Sequence, residues 1–252
     1  MHTATYYIDL LLSGITVGSL YALIAIGYTM VYGILRLINF AHGDIFMMSG
    51  FFMIYVSATL PMAVSIPVVL LMTVLLGVLI ERAAYKPLRS APRMSVMISA
   101  IGVSYLLQNL ATYITGGLAR PYPEISFLKK SFAVGSLNIK IITLLTPVLT
   151  ILLVISLVIF IKHTKTGMAM RAVSKDFDTA RLMGIKVNSV ITVTFIIGSF
   201  LAGVGSILYF TNYGQVSPTI GAMPGLKAFV AAVFGGIGSI PGAVIGAFII
   251  GI

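Results

Sequence analysis

The chain has 252 residues, of which 59% are hydrophobic and 9% charged, with a mean hydropathy of +1.08. A soluble domain averages about 25% charged residues, so a soluble fold is excluded and the chain is an integral membrane protein. Its net charge of +10 does not point to nucleic acid, because the cations cluster in short polar gaps between apolar runs, as orientation in a membrane requires.

The first uncharged run covers residues 10–35. A bilayer core of about 30 Å needs about 20 helical residues, so this is one tilted span. It is too long for the apolar region of a signal peptide, and only His2 and Asp9 ionise before it. Gly14 and Gly18 give it a small-xxx-small face for close helix approach, or else reflect how common glycine is in membrane helices. The polar stretch 36–44 follows, and then an uncharged run, 45–80, too long for one crossing. Pro61 and Pro67 lie near its middle, and proline ends or kinks a helix, so two shortish spans meeting in a turn near 58–66 are expected.

Residues 81–93 form a basic loop, and 94–119 the next span, with Gln108 and Asn109 inside it. A polar loop carries Arg120, Glu124, Lys129, Lys130 and Lys140, and 141–161 is a clean span. Residues 162–186 are the longest run that cannot sit in lipid. After it come one span, roughly 189–212, and a polar connection, 213–218. The last apolar run, 228–252, is interrupted at Gly235-Gly236-Ile237-Gly238-Ser239-Ile240-Pro241-Gly242. There the helix should break, with Ser239 as N-cap and Pro241 in the first turn beyond. The piece 227–234 is too short to span, and irregular backbone at membrane depth is tolerated only when covered by protein or lining a wet cavity. Gly238, Gly242 and Gly246 fall four apart and would form a smooth ridge. The fold expected is an all-α polytopic bundle of about seven spans, a single transmembrane domain over 1–252 with a broken helix near the C-terminus. At least one further span is expected beyond the apolar stretch at Gly251-Ile252.

Placing gaps 36–44, 81–93 and 162–186 on one face collects eleven Lys and Arg, against five (Arg120, Lys129, Lys130, Lys140 and Lys227) on the other. The positive-inside rule makes the richer face cytoplasmic and leans the N-terminus outside.

No residues point to bond chemistry. There is no cysteine, hence no disulfide, thiolate metal site or thiol nucleophile, and no catalytic residue or metal ligand is assigned. The phosphate-cradling pattern G-x-x-x-x-G-K-[ST] is absent from the chain. The spans hold almost no carboxylates: Asp9 and Asp44 lie at ends and Glu81 closes a span. Coupled carriers usually keep ionisable groups at mid-depth, although backbone carbonyls alone can hold sodium.

The loop of about 162–188 reads as a short capped helix. Ser174 or Asp176 caps it, Asp176 and Asp178 suit its positive end, Ala180, Leu182 and Met183 give an apolar side, and Gly184 fits C′. Exposed Leu and Met on such a loop mean either a docking surface or packing back onto the bundle. Asn39, His42 and Asp44 are either interfacial polar residues or a break between helices that lines or gates a pathway. Tyr21, Gln108, Asn109 and Asn212 are equally open between lining a path and bonding helix to helix.

Gly167-Met168-Ala169-Met170-Arg171-Ala172, followed by Asp176, Ala180, Gly184 and Ile185, resembles the cytoplasmic coupling loop of ABC importer membrane subunits, above all the Liv-type permeases for branched-chain amino acids. Asn39-Phe40-Ala41-His42-Gly43-Asp44 is similar to that family's N-F-A-H-G-[DE] signature. Glu81-Arg82 and Tyr85-Lys86-Pro87-Leu88-Arg89 resemble its first basic loop, and 227–242 its K-A-F-x-A-x-x-x-G-G-x-G-S-x-x-G segment. The matches run in order over nearly the whole chain.

The resemblance implies a bacterial inner-membrane complex. In it a second related permease pairs with this one, two ATP-binding subunits dock beneath, and a periplasmic binding protein delivers leucine, isoleucine or valine. ATP and Mg would sit in the ATPase partners, none in this chain. Arg171, Ala172, Asp176, Ala180 and Gly184 would couple to the ATPases. Asn39, His42, Asp44, Gly235, Gly236 and Gly238 would belong to the pathway or gate. The rival expectations are a sugar- or nucleoside-type permease of the same group, and a self-contained carrier or channel.

Overall fold

The computed structural model describes residues 2–89, 91–134 and 137–252. Among the described residues the chain forms eleven α-helices and four short strands, an all-α polytopic bundle. Helix α1 (His2–Leu35) is its axis, with almost every side chain between Leu20 and Val31 buried. Small residues let neighbours close in on several sides. A Cβ on Gly14 would lie 3.0 Å from the Gly251 carbonyl oxygen, and one on Gly18 3.0 Å from the Phe248 Cα. The Gly14/Gly18 face is therefore a helix-packing face.

Helices α2 (His42–Ser57) and α3 (Met62–Ile80) meet in the tight turn expected from the prolines, with Pro61 in extended geometry at the N-cap of α3. A π-helical turn, Glu81–Tyr85, continues α3. Helix α4 (Arg93–Thr115) stops at Gly116, whose φ of 68° is left-handed. The polar loop beyond it holds elements that its sequence did not announce: β1 (Arg120–Pro121), α5 (Ser126–Lys129), and the antiparallel pair β2 (Ser131–Val134) and β3 (Leu137–Lys140). Helix α6 (Ile141–His163) leads into α7 (Lys165–Lys175) and α8 (Phe177–Leu182), and α9 (Val187–Tyr213) returns. Strand β4 (Gln215–Val216) pairs antiparallel with β1, and α10 (Ala222–Phe234) and α11 (Ile240–Gly251) finish the chain.

Among the described residues five helices are long and apolar enough to cross a membrane: Tyr6–Leu35, Met62–Tyr85, Arg93–Thr115, Ile141–His163 and Val187–Tyr213. The seven expected segments thus resolve into these five, the 16-residue α2, and a last segment broken into α10 of 13 residues and α11 of 12. Helices α1 and α9 are buried at the centre. Helices α3, α4 and α6 turn Leu71, Leu75, Ile98, Leu106, Leu152 and Ile155 outward, as lipid-facing helices do. Five threonine hydroxyls inside the bundle are satisfied locally, Thr73, Thr115, Thr146, Thr194 and Thr211 each donating to the carbonyl four residues back, whereas those of Thr29, Ser49 and Ser206 have no partner among the described residues.

The basic gaps gather at one end. Arg36 donates to the Ser174 carbonyl, and Arg89 bonds both Glu81 and Asn188. The β1–β4 pair, with Tyr122 N donating to the Gly214 carbonyl at 2.9 Å, closes the other end. Lys227, counted above with the second group of gaps, lies inside α10, with its Nζ 5.7 Å from the centre of the Tyr21 ring.

Candidate functional site

Helix α1 stops at Leu35, and Arg36 takes a left-handed φ of 55° that turns the chain back. The following residues re-enter the bundle, because His42 packs against Gly27, where a Cβ would collide with the imidazole. Gly27 precedes the end of α1 by eight residues, about 12 Å at 1.5 Å per residue. Helix α2 therefore begins inside the bundle. Asn39, His42 and Asp44 are 1%, 1% and 2% exposed, so all three are enclosed by the bundle where the chain breaks between α1 and α2.

Each polar group there meets a specific surrounding. Tyr85 Oη donates to Asn39 Oδ1 at 2.8 Å, and the Tyr28 ring stands edge-on to His42 with centroids 4.9 Å apart. Among the described residues, Asn39 Nδ2 and His42 Nε2 have no hydrogen-bond partner. Asp44 sits in the first turn of α2 and accepts from Ser104 Oγ and from Gln108 Nε2 at 3.0 Å, both on α4. Helix α10 begins at the same place. A Cβ on Gly43 would lie 2.6 Å from the Gly221 carbonyl oxygen and 3.1 Å from the Gly225 Cα. Two short helices thus start back to back inside the bundle, an arrangement that needs bare backbone on both sides.

A cavity of about 370 Å³ opens beside this junction, between α2, α4 and α10, with Phe40, Asp44, Ile101, Ser104, Gln108 and Phe229 in its lining. Among the described residues Asp44 is its one charged side chain. A second cavity, of about 440 Å³, lies among α1, α6, α7 and the α10–α11 turn, and Arg36, Arg171, Lys175, Thr29 and Gly238 line it.

The loop at the basic end is a helix pair. Thr164 Oγ1 accepts from Gly167 N at 3.0 Å and caps α7. Gly167 fits so tightly under α6 that a Cβ would strike the Ile161 backbone. Arg171 donates to the Ile161 carbonyl, Ala172 is half-buried, and Met170 and Val173 turn inward. Asp176, not Ser174, caps α8: its Oδ1 accepts from Asp178 N at 2.9 Å and its Oδ2 from Thr179 Oγ1 at 2.6 Å. These bonds, the Thr179 hydroxyl's first, hold its carboxyl below the ordinary aspartate range. At the other end Gly184 has φ 79°, with Gly184 N bonded to the Arg181 carbonyl and Ile185 N to the Ala180 carbonyl, the double closure of a Schellman motif. Ala180 is buried, while Leu182 and Met183 are 87% and 77% exposed.

The expected residues fall in three places, the first being the α7–α8 pair and its closing turn, with Arg171, Ala172, Asp176, Ala180 and Gly184. Asn39, His42 and Asp44 form the buried break. Gly235, Gly236 and Gly238 form the turn between α10 and α11, where Gly236 and Gly238 have φ of 92° and 96° and Ser239 caps α11. Gly238 faces Gly33 and shares its cavity with Arg171, and does not lie against the break. Gly242 and Gly246 pack on the backbone of α10, so the ridge is a packing ridge that starts after Gly238. Of the other candidates, Gln108 reaches Asp44, Asn109 bonds back to its own helix at the Tyr105 carbonyl, Tyr21 lies under Lys227, and Asn212 lines a cavity near Asp9 and Lys140. Ser104, Gly221 and Gly225 were not foreseen. Ser104 could have been found as the residue four before Gln108, on the same helix face.

The family model described as branched-chain amino acid transport system / permease component matches residues 10–252. The chain belongs to this permease family. It is 41% identical to the high-affinity branched-chain amino acid transport system permease protein BraD of Pseudomonas aeruginosa, over 98% of this chain and 85% of that protein. It is 41% identical to the corresponding permease LivH of Escherichia coli, over 98% of this chain and 84% of that one. The ribose import permease RbsC of Haemophilus influenzae is 26% identical over 98% of this chain and 76% of its own length. No solved structure matches the permease.

Proposed function

We propose that this permease is the membrane-spanning subunit of a bacterial ATP-driven importer for leucine, isoleucine and valine. The observation that carries the reading is the 41% identity, over 98% of the chain, to two proteins named as high-affinity branched-chain amino acid permeases, against 26% to a ribose permease. The chain works in the inner membrane beside a second permease. Two ATP-binding subunits on the basic side hold ATP and Mg and carry out hydrolysis, and a periplasmic binding protein hands over the substrate.

The pair α7–α8 is the part on which the ATPases act. Leu182 and Met183 present an apolar tip that its own bundle leaves uncovered. Capping at both ends makes the tip a rigid element that transmits a push. Helix α7 packs against α1, α6 and α9, α8 packs against α9, and α9 packs against α1, α2 and α3. A displacement of the loop therefore reaches the start of α2 through α9. There the junction with α10 and its cavity form this chain's share of the pathway, with Asn39, His42 and Asp44 at the gate and Gly235, Gly236 and Gly238 as the turn on which α10 and α11 move.

The substrate is tested by purifying the assembled transporter and measuring ATP-driven uptake of leucine, isoleucine, valine and ribose into proteoliposomes. Uptake of the three amino acids without ribose is expected. Ribose uptake without leucine uptake would replace the reading with its sugar-type rival.

A further inference from the structure

Among the described residues Asp44 is the single charged side chain on the cavity between α2, α4 and α10, and it is 2% exposed. It takes part in none of the ion pairs among the described residues. Its partners are neutral: the Ser104 hydroxyl and the Gln108 amide. Its place in the first turn of α2 adds the favourable field of the helix N-terminus.

A carboxylate at membrane depth is costly, and such groups pair with one another, with a cation or with a substrate on its route. Two neutral donors leave part of that cost uncovered. Each carboxylate oxygen also has acceptor capacity beyond the one bond it receives here. The rest of the lining is largely aliphatic and aromatic, with Phe40, Ile101, Leu226 and Phe229 on it, and a volume of about 370 Å³ is that of a small-molecule site. One fixed negative charge at the edge of an apolar space complements a small molecule with one cationic head and an aliphatic body.

We infer that the cavity is an ammonium-recognition site, in which the Asp44 carboxylate receives the ammonium group of the transported molecule and the apolar lining holds its aliphatic chain. The inference rests on the amino-acid permease reading above and names the residue that recognises the part all such substrates share. Ser104 and Gln108 hold the carboxylate on the cavity wall by donating to it. The apolar lining offers no group that separates leucine from isoleucine or valine, so this site selects the ammonium and leaves the side chain loosely read.

The test uses the whole transporter and exploits the absence of cysteine from this chain. Tyr105 lines the cavity and is 62% exposed, so Tyr105→Cys puts one thiol there, and the complex without that substitution serves as background. Its reaction rates with the cationic 2-(trimethylammonium)ethyl and the anionic 2-sulfonatoethyl methanethiosulfonates are compared, each relative to a free thiol. A fixed charge in a low-dielectric cleft raises local counter-ion concentration about tenfold or more, so the cationic reagent should gain about tenfold over the anionic one. Adding Asp44→Asn should abolish that preference. Isoamylamine, which has the ammonium and the branched chain, should slow labelling as leucine does, and 4-methylpentanoate, which has the branched chain and the carboxylate but no ammonium, should not.

A free-thiol rate ratio with Asp44 intact overturns the inference, as does absent protection by isoamylamine or equal protection by 4-methylpentanoate. If Asp44→Asn fails to assemble, the ratio and protection measured with Asp44 present still decide. Protection by isoamylamine without protection by leucine would keep the ammonium site and sink the branched-chain reading. Leucine uptake with no cationic preference would keep that reading and sink the role of Asp44.

Discussion

Gly43 and Gly221 bring the starts of two short helices into backbone contact, so close that a Cβ on Gly43 would lie 2.6 Å from the Gly221 carbonyl oxygen. The two residues are far apart in sequence, yet their contact fixes where the chain re-enters the bundle after α1 and again after β4. Gly43→Val should therefore be among the most damaging substitutions in the chain. Overpacking of this kind costs about 1–3 kcal/mol or more. The variant should melt lower in detergent and lose most of its uptake, whereas Gly102→Val, where a Cβ meets nothing within 4 Å, should leave melting unchanged. Equal melting of the two variants would mean that the α2–α10 contact is not a packing constraint.

Glu81 is 1% exposed at its side chain and is held by Arg89 and by Thr192 Oγ1 at 3.2 Å. Arg89 also reaches Asn188, so the pair ties the first basic loop to the start of α9. Removing one member leaves the other uncompensated, at a cost of about 3–5 kcal/mol. Arg89→Ala should lower the melting temperature more than the double replacement Glu81→Leu with Arg89→Met, which removes both charges. A double variant less stable than Arg89→Ala would show that the carboxylate is satisfied without its partner.

The α8 caps are the most direct handle on coupling. Losing an N-cap side chain costs about 1 kcal/mol, and a residue other than glycine at the Gly184 φ of 79° is strained by about 1–2 kcal/mol. Asp176→Ala and Gly184→Val should leave the complex assembled and hydrolysing ATP while uptake per ATP falls severalfold. Leu182→Asp should weaken co-purification of the ATP-binding subunits. The Asp176 carboxyl titrates below the ordinary aspartate value of about 3.9. A depressed folded value contributes stability that is complete above the unfolded one and is lost only as pH falls through the folded one. Asp176 should therefore impose no pH dependence on coupling between about pH 5 and 8. Full coupling in both cap variants would remove the loop helix from the mechanism.

Orientation follows from the same end-to-end asymmetry. In this cysteine-free chain, Lys175→Cys should react with impermeant thiol reagents only from the cytoplasmic side and Lys130→Cys only from the opposite side, read in intact cells against inverted vesicles. Reaction of position 175 from outside would invert the topology.

Much of this architecture is legible in the sequence because lipid enforces it. The uncharged runs that became α1, α4 and α6 are bounded by charges that cannot enter the bilayer, and Asp176 and Gly184 bracket α8 by rules that act over a few residues. Helix α7 escaped notice because its composition is basic. Its inward face shows only as Gly167, Met170 and Val173 at threes, a short pattern inside a run already read as loop. The re-entry at Arg36 and the meeting of Gly43 with Gly221 and Gly225 are contacts between distant segments, and one sequence carries no record of which glycine faces which. The same holds for Asp44: its residue type marked it, but the neutral donors on α4 and the cavity beside it depend on packing.

The energy source of uptake is the most direct test of the transport mechanism. Proteoliposomes holding this permease and its paired permease are compared with and without the ATP-binding subunits, with loaded binding protein outside and ATP inside. Concentrative leucine uptake should appear only with those subunits and stop when a non-hydrolysable ATP analogue replaces ATP. Concentrative uptake by the permease pair alone, driven by an ion gradient, would contradict the account.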